Sequence, residues 1–354
     1  MPTAIIDDKG TEIYYMDSGS PLHTSVYTTI VITHGLIVNG AAFERMLPLA
    51  GAYSLRIIAM NNRDYAGSTP YTDAELADLV DNDVEVQAAA VRRLGRETAS
   101  FLRFVCERLE VLPITTGSGG VVLVAEGLAN ISALAILGDV RTMGPELSAA
   151  LGPYLRKVML FDPPSLTLGV YSETSLTFPI ADASVPLEVT ADAFVTWSSA
   201  YYVPVPNIAS ITPDALHTHS KPLPLTPSLR RLDKEEVTRM TDFSVTTRSA
   251  IIMTTPIEIL QGHTERALMD ADAVLPDVDV TGIWCDSSVW VCVWGARVVD
   301  GYIRRAPEPG KRKRKIELVK ISRSNHFVHL EDPERLVRLW AELCGTVPAA
   351  AEKS

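Results

Sequence analysis

Blocks of continuous apolar residues, each closed by a polar cluster, set the rhythm of this chain. Residues 28–33 read Thr-Thr-Ile-Val-Ile-Thr and end on His34-Gly35; residues 55–60 read Leu-Arg-Ile-Ile-Ala-Met and end on Asn61-Asn62-Arg63-Asp64. Short apolar, β-branched runs bounded in this way predict strands buried on both faces. Leu94, Thr98, Phe101, Leu102, Val105 and Leu109 then recur at helical spacing and predict a long helix. A strand over 121–125, a helix from about 128 and a strand over 157–161 follow, the last running into Asp162-Pro163-Pro164. Two short strands, 3–7 and 11–16, joined at Lys9-Gly10, open the chain. Strands alternating with helices imply an α/β fold with a mostly parallel sheet, whose chemistry gathers at the carboxyl ends of the strands. His34, Asn62, Gly127 and Asp162 all fall at such ends.

The rhythm breaks after Pro164. Residues 165–270 are rich in proline, with short helical stretches and no strand alternation, and read as an inserted, mainly helical cap over the sheet edge. Alternation returns with a strand over 278–284, a helix over 289–304 and a strand over 316–321. The final helix starts cleanly, with Asp332 as N-cap and Pro333 in the first helical position. Its apolar face carries Leu336, Leu339, Trp340 and Leu343. The expected organisation is a core of 1–164 and 271–354 with the cap 165–270 between.

Composition narrows the partners. The chain has 354 residues and a net charge of −11, which disfavours broad binding to nucleic acid or an anionic membrane. The one basic run, Lys311 to Lys315, follows Pro307, Pro309 and Gly310 and reads as a solvated loop tip. Cys106, Cys285, Cys292 and Cys344 form no C-x-x-C pair, so neither a metal site nor a disulfide framework is expected, and a reducing, cytoplasmic setting fits. There is no basic-then-apolar leader pattern, no apolar run long enough for a membrane span, and no cofactor signature or phosphate-binding glycine loop. The expected partner is a small organic substrate.

Residues 121–130 read Val-Val-Leu-Val-Ala-Glu-Gly-Leu-Ala-Asn, a buried strand meeting a helix through a turn of small residues. Ala125 and Ala129 fill the flanks of a small-x-Ser-x-small pattern, and Gly127 stands at its centre. With His34-Gly35, the stretch Asn62-Arg63-Asp64-Tyr65-Ala66-Gly67-Ser68, Asp286 after a late strand, and Asn325-His326-Phe327 ahead of Glu331-Asp332-Pro333, the chain resembles the α/β-hydrolase superfamily over nearly its full length. The resemblance implies that fold, with His326 as the catalytic histidine. It implies Asp286, or alternatively Asp162, as the acid that orients it. The backbone N–H groups of Leu36 and Leu128 match the oxyanion donors. The nucleophile position is Gly127, which has no hydroxyl.

Gly127 has two readings: relief of a strained turn in a protein that only binds, or space in which water or a substrate group replaces the missing oxygen. Glu126 is a candidate acid or base, although a side chain at that position is expected to point away from the reacting atoms. Thr116-Gly117-Ser118-Gly119-Gly120 imitates a nucleophile motif but precedes its strand, so a loop is expected. His34 and Gly35 are expected to shape the turn. Trp197, Tyr201 and Tyr202 either line a pocket from the cap or form the cap's own core. His217 and His219 are expected on a surface loop, and His329 in a structural role. Loss of the serine from a serine hydrolase costs on the order of 10⁶ in kcat. The favoured expectation is therefore non-covalent acid–base chemistry at His326: hydrolysis through water, C–C or C–O cleavage as in a lyase, elimination or isomerisation of a small apolar carbonyl, ester or lactone compound. The alternatives are a non-catalytic small-molecule-binding protein and an ester or lactone hydrolase whose nucleophile lies elsewhere.

Overall fold

The computed structural model describes residues 2–115, 118–171, 174–177, 179 and 185–346. Eight strands form one sheet: β1 (Thr3–Ile5), β2 (Glu12–Asp17), β3 (Thr28–Thr33), β4 (Leu55–Met60), β5 (Val121–Glu126), β6 (Leu155–Phe161), β7 (Asp279–Cys285) and β8 (Ile316–Ile321). Their spatial order is β1-β2-β4-β3-β5-β6-β7-β8. β1 and β2 pair antiparallel with their neighbours, and all later pairings are parallel. Every residue of β3, β4 and β5 is buried, which is why these strands read as unbroken apolar runs.

Eleven α-helices are described: α1 (Asp73–Ala77), α2 (Val84–Arg108), α3 (Asn130–Gly138), α4 (Val140–Leu151), α5 (Leu187–Ser199), α6 (Pro213–His219), α7 (Lys234–Met240), α8 (Ile257–Met269), α9 (Trp290–Arg304), α10 (Val328–Glu331) and α11 (Pro333–Cys344). One face of the sheet packs on Phe101, Leu102 and Val105 of α2 and on Ala133, Leu134 and Leu137 of α3. The other face packs on Phe43 and Met46, in a 3-10 segment over Gly40–Tyr53, and on Leu336, Val337 and Trp340 of α11. The Asp332 side chain accepts from Arg335 N–H, so α11 begins where its cap residue and Pro333 predict.

The segment expected to form the cap divides in two. Residues 187–254 are short helices and irregular chain over the carboxyl edge of the sheet, whereas α8 packs along α3 and belongs to the helical layer of the core. Register then fixes the geography of that edge. Thr33 pairs with Ala125, Glu126 with Phe161, and Phe161 with Ile283. The residues that follow these ends, His34, Gly127 and Asp162, are therefore side by side. The imitation motif is partly outside the described residues, at Thr116 and Gly117; Ser118 lies before the amino end of β5.

The basic run is exposed loop at Lys311, Arg312 and Lys315, as expected, but Arg314 is drawn inside. Lys311 pairs with Glu308, Arg312 with Asp272 and Lys315 with Asp279. Arg314 is buried, and its guanidinium donates to the carbonyls of Ala267, Val274, Leu275 and Val278 at 2.7–2.8 Å. It ties the end of α8 to the start of β7. Burial pulls its pKa down to about 10, so it is still charged at neutral pH. Arg314→Met is expected to lower unfolding free energy by about 3–5 kcal/mol, because it leaves several buried carbonyls without donors. Urea denaturation of the variant beside the parent chain measures this.

Candidate active site

The turn after β5 is built for glycine. Glu126 ends the strand in extended backbone, Gly127 turns to φ +54°, and a 3-10 turn over Gly127–Ala129 leads into α3. Asn130 Nδ2 donates to the Gly127 carbonyl at 2.7 Å and pins the turn. A side chain here would adopt a left-handed conformation at a cost of roughly 1–2 kcal/mol. Crowding does not forbid one: an added Cβ would lie 3.5 Å from Gly35 Cα and 3.6 Å from His326 Nε2.

His326, in the loop between β8 and α10, faces this turn. Its Nδ1 is 2.7 Å from Asp162 Oδ2 and its Nε2 is 2.6 Å from Glu126 Oε1. Asp162 sits at φ +45° directly after β6. Its Oδ1 accepts from Cys285 N–H at 3.1 Å, and the Ser288 hydroxyl donates to its Oδ2. Of the two acids proposed for His326, the structure places Asp162 against the ring. Asp286 instead accepts from Arg323 N–H at 2.6 Å. Glu126 departs from expectation: its carboxylate turns inward. Glu126 Oε2 accepts from Gly35 N–H at 2.6 Å, so the carboxylate bridges the turn after β3 and the imidazole. A Cβ at Gly35 would stand 2.8 Å from Glu126 Oε2, so a side chain there would make this carboxylate shift.

The charges within this chain of bonds depend on one another. Burial alone would push the Glu126 carboxyl up, but the facing His326 outweighs it and holds the pKa at about 2. Burial alone would strip a proton from His326; the Glu126 charge overturns that, aided by Cys292 and the bond to Asp162, and raises its pKa well above the usual 6.5. The ring is thus an imidazolium between two carboxylates, with one N–H directed at each. Such a set has a proton to give at Nε2 and a carboxylate base at Glu126.

His34 plays a different part. Its Nδ1–H donates to the Gly35 carbonyl at 2.9 Å and its Nε2 accepts from Asn62 N–H at 3.0 Å, which defines a neutral ring. Full burial pulls its pKa down to about 4. It braces the loop carrying Leu36. Leu36, Leu128, Glu126, Gly127 and His326 line a mostly apolar cavity of about 110 Å³, roofed by Phe194, Trp197 and Met253. Among the described residues the Leu36 N–H has no hydrogen-bond partner. Of the three aromatics expected in the cap, Trp197 lines the cavity. Tyr202 is buried, with its hydroxyl donating to the Trp197 carbonyl at 2.8 Å, and the Arg231 guanidinium lies over the Tyr201 ring at 5.7 Å.

Other histidines part from or follow their expectations. His219 is not on a surface loop: it ends α6, buried, with its ring nitrogens against the carbonyls of Val203 and Ser288. His217, on the same helix, is exposed. His329 stacks on Phe43 with ring centres 4.5 Å apart, and burial pulls its pKa down to about 3. Sequence reasoning missed two neighbours. Ser288, two residues beyond Asp286, buttresses Asp162. Cys292, in the first turn of α9, lines the cavity with its Sγ 4.0 Å from His326 Nδ1. The signal for Ser288 was its nearness to a late strand end; an isolated cysteine in an apolar run gives none.

No family model matches the chain, and no curated protein does. Solved structures do. A carboxylesterase of the thaumarchaeon Nitrososphaera gargenis aligns over 97% of both chains, with 12% identity and a TM-score of 0.51. An esterase of Exiguobacterium antarcticum aligns over 98% of this chain and all of its own, with 15% identity and a TM-score of 0.51. The Cfl2 protein of Burkholderia cenocepacia aligns over 96% of this chain and 94% of its own, with 14% identity and a TM-score of 0.50. Identities this low speak for the fold alone, and the fold is that of the α/β-hydrolases. Among the described residues no helix is long and apolar enough to cross a membrane.

The coupling of Glu126 to His326 has a defined pH window. The depressed Glu126 pKa contributes stability above its unfolded value of 4.5, lost as pH falls toward about 2. The raised His326 pKa contributes stability below 6.5, lost as pH rises through its folded value. The pair's contribution is therefore greatest between these two unfolded values. Imidazole NMR is expected to show His326 still protonated at pH 7.5, and to show its pKa lowered by more than about one unit in Glu126→Gln, a differential interaction of about 1.4 kcal/mol. A titration that coincides in the two proteins would contradict the coupling.

Proposed function

We propose that this chain is an enzyme that moves protons on a small, largely apolar carbonyl compound without forming a covalent serine intermediate. One observation carries the reading: the Asp162–His326–Glu126 chain of hydrogen bonds opens onto an apolar cavity beside a turn that bears no side chain. In this reading the substrate carbonyl is held by the N–H groups of Leu36 and Leu128, which stabilise the oxyanion as it forms. The reacting group enters between Glu126 and His326. Glu126 accepts a proton, from a water that adds to the carbonyl or from the substrate itself. His326 returns its Nε2 proton to the departing oxygen or carbon, so the site ends with the charge it began with. Asp162 keeps the ring oriented throughout. Ester or lactone hydrolysis, cleavage of a C–C or C–O bond beside a carbonyl, and isomerisation all draw on these two proton transfers.

A second reading, a protein that binds a small molecule and leaves it unchanged, is favoured by the closure of the Glu126–His326 pair on itself. The two separate on a panel of esters, lactones and 1,3-dicarbonyl compounds followed chromatographically. The enzyme reading expects turnover of at least one class, reduced about 100-fold or more in both His326→Gln and Glu126→Gln. Turnover within a few-fold of the parent in His326→Gln would refute it. Binding of a compound recovered intact would favour the second reading. Labelling of the parent chain by a fluorophosphonate would instead point to a nucleophile elsewhere. A further expectation concerns the bare turn. Gly127→Ser alone should gain no aryl esterase activity, because Glu126 already occupies Nε2, whereas Gly127→Ser combined with Glu126→Ala should gain it, together with fluorophosphonate labelling.

A further inference from the structure

Asp162, Cys292 and His326 come from three separate elements, yet each offers a ligand atom, and these atoms all lie within 4.8 Å of one another. Among the described residues no other group of three or more His, Cys, Asp and Glu side chains converges in this way. We propose that the three form a binding site for a single thiophilic divalent cation, zinc by preference, held by Cys292 Sγ, His326 Nδ1 and Asp162 Oδ2.

The geometry is close to what such an ion needs. Tetrahedral zinc with Zn–S of about 2.3 Å and Zn–N or Zn–O of about 2.0–2.2 Å places its ligand atoms about 3.3–3.6 Å apart. Here Nδ1 is 2.7 Å from Oδ2 and 4.0 Å from Sγ. Shifts of about half an ångström close the first gap outward and the second inward, and the Sγ–Oδ2 pair, within 4.8 Å, closes by up to about 1.3 Å as Cys292 changes rotamer. The outer partners are also in place. A metal-bound histidine usually donates its other ring N–H to a carboxylate, and His326 Nε2 lies 2.6 Å from Glu126 Oε1. The Ser288 hydroxyl and Cys285 N–H hold the Asp162 carboxylate. Three protein ligands leave one coordination position free, and Cys292 and His326 both border the cavity through which an ion or water would arrive.

The charge balance is explicit. One divalent cation replaces the thiol proton of Cys292 and the Nδ1 proton of His326, so two protons leave and the net charge of the site is unchanged. Occupancy breaks the Asp162–His326 hydrogen bond and removes the imidazolium as a proton donor. The ion thus acts as an off-switch for the acid–base pair. Binding itself stands independently of the catalytic reading, and its test uses no substrate.

Chelator-treated full-length protein is titrated with zinc by calorimetry and with cadmium by ultraviolet absorption. The expected results are one ion per chain, a cadmium–thiolate charge-transfer band, and about two protons released per ion. Cys292→Ala abolishes the band and weakens zinc binding by about 100-fold or more; Glu126→Gln weakens it about 10–100-fold. Thermal melts establish that the variants fold, and Cys292→Ser serves if alanine does not. Absence of stoichiometric binding in the parent chain overturns the proposal. So does a band that survives in the Cys292 variant, which would place the ion on another cysteine.

Discussion

An imidazolium held away from bulk water between two carboxylates is the constraint around which this molecule is arranged. Each of the three charges is expensive to bury alone, and removing any one strands the others. The surroundings meet that cost with fixed donors: Gly35 N–H on Glu126, Cys285 N–H and the Ser288 hydroxyl on Asp162. These donors come from the loop after β3, the last residue of β7 and the loop that follows it, so the site ties together the carboxyl ends of four strands and the loop after β8. The sheet's register brings the ends into line, and the apolar layers on both faces keep the register from slipping.

Much of the scaffold was legible in the sequence because its signals are local. The strands over 28–33, 55–60 and 316–321 fall where the apolar runs lie, and α11 starts at its cap residue. Side-chain direction at strand ends was not legible. A strand buried on both faces has no alternation to reveal which way its last residue points, and Glu126 ends β5 with its carboxylate against His326. The choice between Asp162 and Asp286 was equally hidden, since it rests on a positive φ at Asp162 and on which backbone amide each acid finds.

Arg314 and His219 show a second limit. A run of five basic residues reads as surface by composition, but one of its members finds four carbonyls contributed by a segment about 40 residues upstream. His219 similarly owes its burial to Val203 and Ser288. Partners so distant in sequence leave no periodic trace, and only the folded chain joins them.

Gly35 carries one more implication. Its amide grips one oxygen of the Glu126 carboxylate while the other oxygen faces the ring of His326. The loop after β3 and the imidazole of His326 therefore share one carboxylate. Were that amide withdrawn, the carboxylate would lose a donor and hold the charge on the ring less firmly.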